Sequence, residues 1–379
     1  MSVEPLDAGV LATVEPLFER PAHDTARVVL GMTVYNGSRF IAEALDSIFA
    51  QEFQDFILVI LDDCSTDDSA EVIRRLTASN PKVFAFRNRS RKGMVANWAD
   101  VFHLGRVIAP QQAYFSWCSD HDVMRPQWLG ALVTVLDEQP GVVLGYTVTA
   151  PITLEGAAIP KAMNLDKLDQ FQAREPDVFT RFLRLHRTGK GFGNMIYGLF
   201  RSDALAKVGV FRQIILPDRL VVLELCLAGE VAVVREILRL RRLTSKFSVK
   251  RQRTTLFRPG EKKPAHAGLP TWLAHSLALV KLYSGRERRP AGLSLLQLWL
   301  LAADLIYWQM RKRSLHTIGL IIKYTYVRRT WKEVRLLATD RGRRQRRWIE
   351  FREWLKQPRR RPDEGAPDAA RAADRKSAK

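Results

Sequence analysis

Apolar runs and amphipathic segments alternate along the first part of the chain. The apolar, β-branched runs predict buried strands at 27–35, 56–61, 82–86, 113–117 and 141–146. Between them, apolar residues recur at helical spacing and predict helices at 40–49, 69–79, 94–105 and 126–138. Strands that alternate with helices of this length favour a parallel sheet with helices on both faces.

The pattern loosens over 147–190, which we interpret as loops and short helices, and order returns afterwards. A strand is predicted over 193–201, and a helix followed by a strand over 216–234. Gly193 and Gly198 flank the first of these and would let a ligand approach the backbone closely, although a plain core strand would also accommodate them.

Polar clusters follow three of the predicted strands directly. They are Tyr35 with Asn36, Asp62 with Asp63, and Asp120 with Asp122. Ligands of parallel α/β sheets bind at the carboxyl ends of the strands. Two carboxylates spaced as D-x-D can reach one hard cation and leave room for phosphate oxygens. The competing interpretation is that these side chains only form Asx turns and helix caps.

The charge is concentrated near the C-terminus. The chain of 379 residues has 60 Lys and Arg against 40 Asp and Glu, a net charge of +20. Residues 281–379 hold 26 of the basic and 10 of the acidic residues, which leaves 34 and 30 for residues 1–280. This surplus indicates an anionic partner, either nucleic acid or lipid.

Composition excludes several classes of protein. Apolar residues make up 46% and charged residues 26%, which excludes a collagen-like or wholly disordered chain. A polytopic membrane protein is also excluded, because it would need several apolar runs of about 20 residues. The three cysteines form no CxxC pair, so neither a disulfide framework nor a zinc site is expected, and a reducing compartment is the default.

Four regions are predicted along the chain. They are a partly disordered leader at 1–26 without the features of a signal peptide, an α/β domain at 27–245, a basic helical membrane-associating region at 246–356, and a disordered tail at 357–379.

In the third region, residues 291–310 are apolar except for Asp304, whose burial in a bilayer costs about 2.5–3.5 kcal/mol. Three states remain open for this stretch: interfacial or docked helices, a single span, or a soluble helical subdomain. Tryptophans interleaved with Arg and Lys favour the interface; they are Trp299, Trp308, Trp331, Trp348 and Trp354.

Three segments together resemble the family 2 glycosyltransferases, which have the GT-A fold. They are residues 28–73, with strand, Tyr-Asn, helix, strand and Asp-Asp-x-Ser-Thr-Asp; residues 115–132, with the D-x-D segment, a proline and a Trp-Leu helix; and residues 216–238, with an acidic residue eleven positions before a glycine. The resemblance extends over roughly 27–245. It implies a Rossmann-like, mostly parallel sheet flanked by helices, here followed by the basic helical extension.

The resemblance implies a binding site for a nucleotide-sugar donor. The residues that it assigns to this site are Thr33, Tyr35, Asn36, Asp62, Asp63, Lys92, Gly93, Asn97 and Asp120. Tyr35 and Asn36 would line the nucleoside, Asp63 or Asp62 would position the base, and Lys92 or Arg91 would pair with phosphate. Asp120 and Asp122 would hold the ribose and a divalent metal, Mn or Mg. Gln252 and Arg253 would reach the diphosphate, unless their segment is a solvated basic loop.

Asp218 is the catalytic base that the resemblance implies. It follows Pro217 at the predicted start of a helix, whose dipole favours the ionised carboxylate. An ionised Asp218 would take the proton of the acceptor hydroxyl in a single inverting displacement. Simple N-capping is the alternative role.

The chain departs from the family pattern at His121 inside the D-x-D segment, at Val123 after it and at Pro217 before the base. It also lacks the Q-x-x-R-W motif of processive members, which favours single additions over polymer synthesis.

The resulting expectation is a cytoplasmic bacterial enzyme of polysaccharide synthesis, peripheral at the inner face of the plasma membrane. It would transfer sugar to a glycan or lipid-linked acceptor and contact anionic lipid, with no nucleic-acid partner. The alternatives are a nucleotidyltransferase, which would need a Gly-rich basic loop after the first strand, a nucleic-acid-binding protein and an inactive scaffold.

Overall fold

A computed structural model describes residues 9–20, 25–168, 170–188, 192–243 and 265–311. The strands are β1 (Val14–Pro16), β2 (Val28–Val34), β3 (Phe56–Asp62), β4 (Val83–Asn88), β5 (Tyr114–Ser119), β6 (Val123–Met124), β7 (Val142–Ile152), β8 (Leu199–Arg201) and β9 (Glu230–Arg242). The helices are α1 (Ile41–Phe49), α2 (Ser69–Thr77), α3 (Met94–Ile108), α4 (Trp128–Glu138), α5 (Val178–Thr188), α6 (Phe192–Met195), α7 (Ser202–Val208), α8 (Pro217–Ala228), α9 (Thr271–Tyr283) and α10 (295–311).

The strands form one nine-stranded sheet in the order β1-β4-β3-β2-β5-β8-β7-β9-β6. The segment β4-β3-β2-β5 is parallel throughout, as is the pair β7-β9. The short strands β1, β6 and β8 pair antiparallel with their neighbours. The predicted α/β class is confirmed, and the sheet is mixed because these short strands join two parallel blocks and extend them at the edges.

The central strands are buried on both faces, which explains their nearly continuous apolar runs. Every residue of β3 is buried. Side chains on β2 alternate between two apolar clusters, with Val29 in one and Leu30 and Met32 in the other. Gly31 is required for packing, because a Cβ there would lie 2.6 Å from the ring of Phe115 on β5. Burial of each such apolar side chain stabilises the fold by about 1.5–3 kcal/mol.

The structure corrects two sequence predictions in the second half of the sheet. Residues 193–201 were expected to form one strand, but α6 and a turn occupy the first part and only Leu199–Arg201 is extended. β7 was expected to end at 146 but continues to Ile152, where it pairs with Arg242 of β9. Two of the arginines of β9 are buried against carboxylates and carbonyls described below.

Two regions outside the predicted domain contribute to the same structure. Val14–Pro16, within the predicted leader, forms the edge strand beside β4. In the C-terminal region, Leu298, Leu301 and Leu305 of α10 are buried in the larger apolar cluster. Among the residues described, no helix is both long enough and apolar enough to cross a membrane. The predictions for Gln252, Arg253, Trp331, Trp348, Trp354 and the tail at 357–379 lie outside the described residues.

Candidate functional site

The ends of β2 and β3 are joined by a hydrogen-bonded loop that includes Asn36. The amide N–H of Asp63 donates to the carbonyl of Val34 at 2.9 Å. Asn36 has φ of 53°, its N–H donates to Ser65 Oγ at 2.9 Å, and its Oδ1 accepts from the N–H of Thr66 at 2.9 Å. Asparagine tolerates this left-handed conformation better than most residues. Asn36 therefore fixes the loop that leaves the first central strand.

Asp63 organises the loop between β4 and α3. Its Oδ1 accepts from the N–H of Lys92 at 2.7 Å and from Asn88 Nδ2 at 2.9 Å, and its Oδ2 accepts from the N–H of Gly93 at 2.8 Å. Gly93 has φ of 83°, a conformation that L side chains rarely adopt. Hydrogen bonds to an ionised carboxylate are stronger than neutral ones. Asp63 therefore holds the backbone at the start of α3.

Asp62 is fully buried beside Asp63 and stabilises a different loop, the one that follows β3. It accepts from the N–H of Ser65 at 3.1 Å and from the hydroxyl of Ser65, and Arg87 Nε lies 3.5 Å from its Oδ2. Burial raises the pKa of Asp62, and the hydrogen bonds from Ser65 partly oppose this rise. Asp62 therefore has a structural role in holding the loop that follows β3.

Lys92 and Asn97 are both engaged by neighbouring protein groups. Lys92 Nζ lies 2.5 Å from Asp100 Oδ2 and 2.6 Å from Thr13 Oγ1. Asn97 is buried, accepts from Asn88 Nδ2 at 2.8 Å and donates to the carbonyl of Leu61 at 3.2 Å. These contacts connect α3 to β3, β4 and the N-terminal segment.

Tyr35 presents an open aromatic face at the end of β2. Its side chain is 38% exposed, and the guanidinium carbon of Arg91 lies 3.9 Å from its ring centre. Thr33, two residues before Tyr35, is half-buried and lies in register with Leu61 of β3 and Ser119 of β5. A planar group can stack on a tyrosine and an arginine arranged in this way.

The D-x-D segment contains two carboxylates in very different surroundings. Asp122 is buried, pairs with the guanidinium of Arg239 and accepts from the backbone N–H of Arg242 at 3.0 Å. Asp120 Oδ1 lies 2.6 Å from His121 Nδ1, and its Oδ2 faces Gly37, where a Cβ would collide with it. Among the described residues, Oδ2 of Asp120 has no hydrogen bond.

The chemistry of these side chains limits how a divalent metal could bind. Both oxygens of Asp122 are already used, whereas Asp120 retains Oδ2. Within the described ranges, no group of three or more His, Cys, Asp or Glu residues could hold a metal ion. Magnesium commonly binds through one or two carboxylates together with substrate phosphates and water. Asp120 fits that pattern as a single carboxylate contact.

Asp218 differs from the other carboxylates of the predicted site because no side chain among those described donates a hydrogen bond to it. It lies in the first turn of α8, after Leu216 with φ of 55° and Pro217, and it is half-buried. Burial raises the pKa of Asp218 and outweighs the backbone N–H groups of Arg219 and Asp218 itself, which lower it. The helix dipole alone would favour the ionised carboxylate, but burial dominates and shifts the pKa in the opposite direction. A carboxylate of raised pKa is a better proton acceptor.

Packing brings the start of α8 next to the start of α3. Val95 and Ile215 form a small buried cluster, and the rings of Trp98 and Phe211 are 5.0 Å apart. A Cβ on Gly193 would lie 3.5 Å from Asp218 Oδ2, so this glycine leaves space beside the carboxylate. The candidate base and the loop held by Asp63 therefore belong to adjoining segments.

Sequence reasoning missed the arginines of β9. Arg239 is buried against Asp122, with its guanidinium carbon 3.9 Å from the ring centre of Tyr197. Arg242 Nε donates to the carbonyl of His121 at 2.9 Å. In the sequence these residues are part of a basic run, and their charge gives no signal of burial. Only the observation that β9 is a long strand, paired with β7, could have identified them.

Comparisons with known proteins agree with this architecture. Residues 30–194 match the family model for Glycosyl transferase family 2. A stretch of 103 residues is 32% identical to an uncharacterized glycosyltransferase of Nostoc sp. (strain PCC 7120), which is 27% of this chain and 30% of that protein. The match thus spans less than a third of the relative's length.

Two solved structures are similar to the chain. The chain is similar to residues 1–349 of S. aureus TarS in complex with UDP-GlcNAc, with 13% identity, a TM-score of 0.50, and coverage of 75% of this chain and 73% of that one. The mannosyltransferase PcManGT from Pyrobaculum calidifontis, in complex with GDP-Man and Mn2+, matches with 14% identity, a TM-score of 0.46, and coverage of 86% and 88%.

At such identities, the likeness to TarS shows the fold alone, which is that of GT-A glycosyltransferases. The resemblance found in the sequence motifs is confirmed by the family match. Over residues 30–194, which are less than half of its length, the chain is similar to glycosyl transferase family 2.

Proposed function

We propose that this protein is an inverting glycosyltransferase that uses a nucleotide-sugar donor and a hydroxyl acceptor. The observation that carries the proposal is Asp218, a half-buried carboxylate of raised pKa with no side-chain hydrogen bond among the described residues. It adjoins the segment that begins at Gly93, and Gly193 leaves space beside it. A buried base with free acceptor capacity is the group that this reaction requires.

The donor would bind across the ends of β2, β3 and β5. Tyr35, stacked with Arg91, offers a surface for a planar base, and Asp63 holds the loop on which Lys92 and Gly93 lie. Ligands of such sheets bind at this edge. The protein of similar fold, TarS, was solved with UDP-GlcNAc, which supports a nucleotide sugar as the donor class.

The transfer step follows from the placement of Asp218. The acceptor oxygen attacks the anomeric carbon of the donor while its proton passes to a carboxylate oxygen of Asp218. The bond from the anomeric carbon to the acceptor oxygen forms as the bond to the phosphate oxygen breaks, and the electron pair leaves with the nucleoside diphosphate. One displacement with one base inverts the anomeric configuration.

Asp120 is the residue that we assign to a divalent cation, Mn or Mg, through its Oδ2. Such an ion, when bound, offsets the negative charge of the diphosphate. Asp122 instead anchors β9 through Arg239 and the backbone of Arg242, which holds the D-x-D loop against the second half of the sheet.

The acceptor that we propose is a glycan or a lipid-linked glycan of cell-surface polysaccharide synthesis. The basic C-terminal quarter favours action at an anionic membrane surface, at the cytoplasmic face of the plasma membrane. No nucleic-acid partner is proposed, because the basic surplus lies outside the α/β domain.

The donor site can be tested by calorimetry with UDP, GDP, dTDP and CDP, each with and without Mn2+. We expect one diphosphate to bind the wild type and to bind Asp63→Asn at least about tenfold more weakly, because the loop at Lys92 and Gly93 loses its anchor. Asp68→Asn is the matched control, since Asp68 is exposed and lies in the loop between β3 and α2, which begins with Asp63. Failure of every diphosphate to bind, with or without metal, would favour an inactive scaffold over a transferase.

A further inference from the structure

Helix α10 has an exposed apolar face. Leu296, Trp299, Leu300, Tyr307 and Met310 are 70%, 54%, 49%, 60% and 53% exposed, respectively. Their spacing of three, four, eleven and fourteen residues from Leu296 places them on one side of the helix. An exposed apolar stripe of this kind marks an interaction surface. We call these five residues the α10 face.

Contacts on the other sides of α10 fix the orientation of this face. Asp304 pairs with Arg187, and its Oδ2 lies 2.5 Å from Nε2 of the fully buried His186. Trp308 Nε1 donates to the carbonyl of Arg187 at 3.0 Å. Turning the α10 face inward would expose the leucines of the core and leave His186 and Asp304 without each other. The face therefore points away from the domain.

Asp304 is the acidic residue whose burial in a bilayer would oppose membrane contact by residues 291–310. Although its partial burial alone raises the pKa of Asp304, the hydrogen bonds from Arg187 and His186 outweigh this effect and lower it. The ionised carboxylate is directed at α5 and does not interrupt the α10 face. The cost of an acidic group in lipid consequently does not apply to a helix that contacts the bilayer with this face only.

The distribution of charge around the helix indicates what covers the face. Between Arg289 and Arg311, Asp304 is the only charged residue in the sequence. Arg286, Arg288 and Arg289 precede the helix, and Arg311, Lys312 and Arg313 lie at or beyond the last described turn. An apolar stripe with tryptophan and tyrosine, bracketed by basic residues, is typical of helices that lie in an anionic membrane interface.

We propose that the α10 face docks on an anionic lipid bilayer, with the helix lying along the membrane surface. Leu296, Trp299 and Leu300 would enter the boundary between headgroups and acyl chains, while Arg286, Arg288 and Arg289 contact anionic headgroups. A second copy of this chain is the less suitable occupant, because each copy carries a net charge of +20. The inference refines the membrane location proposed above and does not depend on the glycosyl-transfer step.

The test uses the full-length protein and sedimentation with lipid vesicles. One set contains phosphatidylcholine with about 30% phosphatidylglycerol, and the other contains phosphatidylcholine alone. We expect the wild type to bind the anionic set, and the triple variant Leu296→Gln/Trp299→Gln/Leu300→Gln to bind it at least about tenfold more weakly. Leu76→Gln, an apolar position on α2 that is 36% exposed, is the control and should bind like the wild type.

Fluorescence gives a second readout that does not depend on sedimentation. The emission lost in Trp299→Phe relative to wild type isolates Trp299, and quenchers attached to lipid acyl chains should reduce that difference when vesicles are present. Equal vesicle binding by the wild type and the triple variant would overturn the proposal, since the basic segments alone would then account for binding. A wild type that binds neither vesicle set would also overturn it.

Two further measurements separate the remaining outcomes. If the wild type is a dimer in sedimentation velocity and the triple variant a monomer, a second copy covers the α10 face and the proposal is wrong. Calorimetry of the nucleoside diphosphate on the triple variant tests the donor site independently. If the triple variant keeps its diphosphate affinity but loses vesicle binding, the result supports the docking face. If the wild type binds diphosphate but binds no vesicles, the docking proposal is wrong and the proposed function is unaffected.

Discussion

The carboxylates at the strand ends and the carboxylate at the start of α8 have different surroundings. Asp63 accepts three hydrogen bonds, and Asp122 is buried in an ion pair with Arg239. Asp218 has no side-chain hydrogen bond among the residues described, and burial raises its pKa. Asp63 and Asp122 are occupied with holding the backbone, whereas Asp218 retains the capacity to accept a proton.

This difference separates positioning from chemistry within one site. A buried carboxylate that is fully hydrogen-bonded is costly to disturb and keeps its loops in one geometry. A carboxylate that is desolvated without a side-chain hydrogen-bond donor is less stable as an anion and more basic. We therefore expect substitutions in the two regions to affect different measurable quantities.

The largest effect is expected for Asp218→Asn. The amide cannot accept the proton of the acceptor hydroxyl, so kcat should fall by about 10²–10⁴-fold while diphosphate affinity changes little. Steady-state transfer assays and calorimetry on the same preparation measure the two quantities. The control is Asp203→Asn, which changes an exposed aspartate in the first turn of α7. A large loss of diphosphate affinity in Asp218→Asn alone would remove the distinction between the two regions.

Arg239→Met should act mainly on stability. It leaves the carboxylate of Asp122 buried without its partner, which costs about 3–5 kcal/mol in the free energy of unfolding. Arg235→Met is the control on the same strand, because Arg235 is exposed, and it should cost less than about 0.5 kcal/mol. Urea denaturation measures both. Equal stability of the two variants would show that the Asp122–Arg239 pair is not important for the fold.

Lys92→Met should have a smaller effect, and it tests whether Lys92 holds protein groups or contacts the donor phosphate. The resemblance assigned Lys92 to phosphate, but its ammonium group lies 2.5 Å from Asp100 Oδ2. We expect the affinity for the nucleoside diphosphate to fall less than about threefold, whereas a lost phosphate contact would cost about 1.5–3 kcal/mol. Calorimetry distinguishes the two, and a tenfold or greater loss would return Lys92 to the donor site.

The smallest effect concerns the pH dependence of the proposed reaction. Because burial raises the pKa of Asp218, the acidic limb of kcat/KM should lie above the ordinary range of aspartate, with activity lost as pH falls through that limb. The positive charge of Arg219 lowers the pKa of Asp218. Arg219→Gln should accordingly move the limb to higher pH. A limb that stays in place or moves to lower pH would contradict this assignment.

Much of the first half of the fold could be predicted from the sequence. The apolar runs that became β2 and β3 are buried on both faces, and such strands are distinctive because few other elements combine β-branched runs with polar ends. The same regularity identified Asp62, Asp63 and Asp120 as residues at the carboxyl edge. Local pattern is sufficient where an element is set by its own sequence.

The second half was harder to predict because its elements depend on distant partners. β7 continues beyond 146 because β9 pairs with it. Arg239 is buried because it pairs with Asp122, which lies 117 residues earlier in the chain. Asp304 was likewise read as a cost to membrane contact until His186 and Arg187 were seen beside it. Charge in a sequence does not reveal whether its partner is water or a buried residue.

The most direct test of the account is the anomeric configuration of the first product, read by proton NMR before it can equilibrate. Once the donor is identified, a single displacement with Asp218 as the base predicts a product of inverted configuration, formed by the wild type and by Asp203→Asn. Retention of configuration would require two displacements or a different base, and would contradict the role proposed for Asp218.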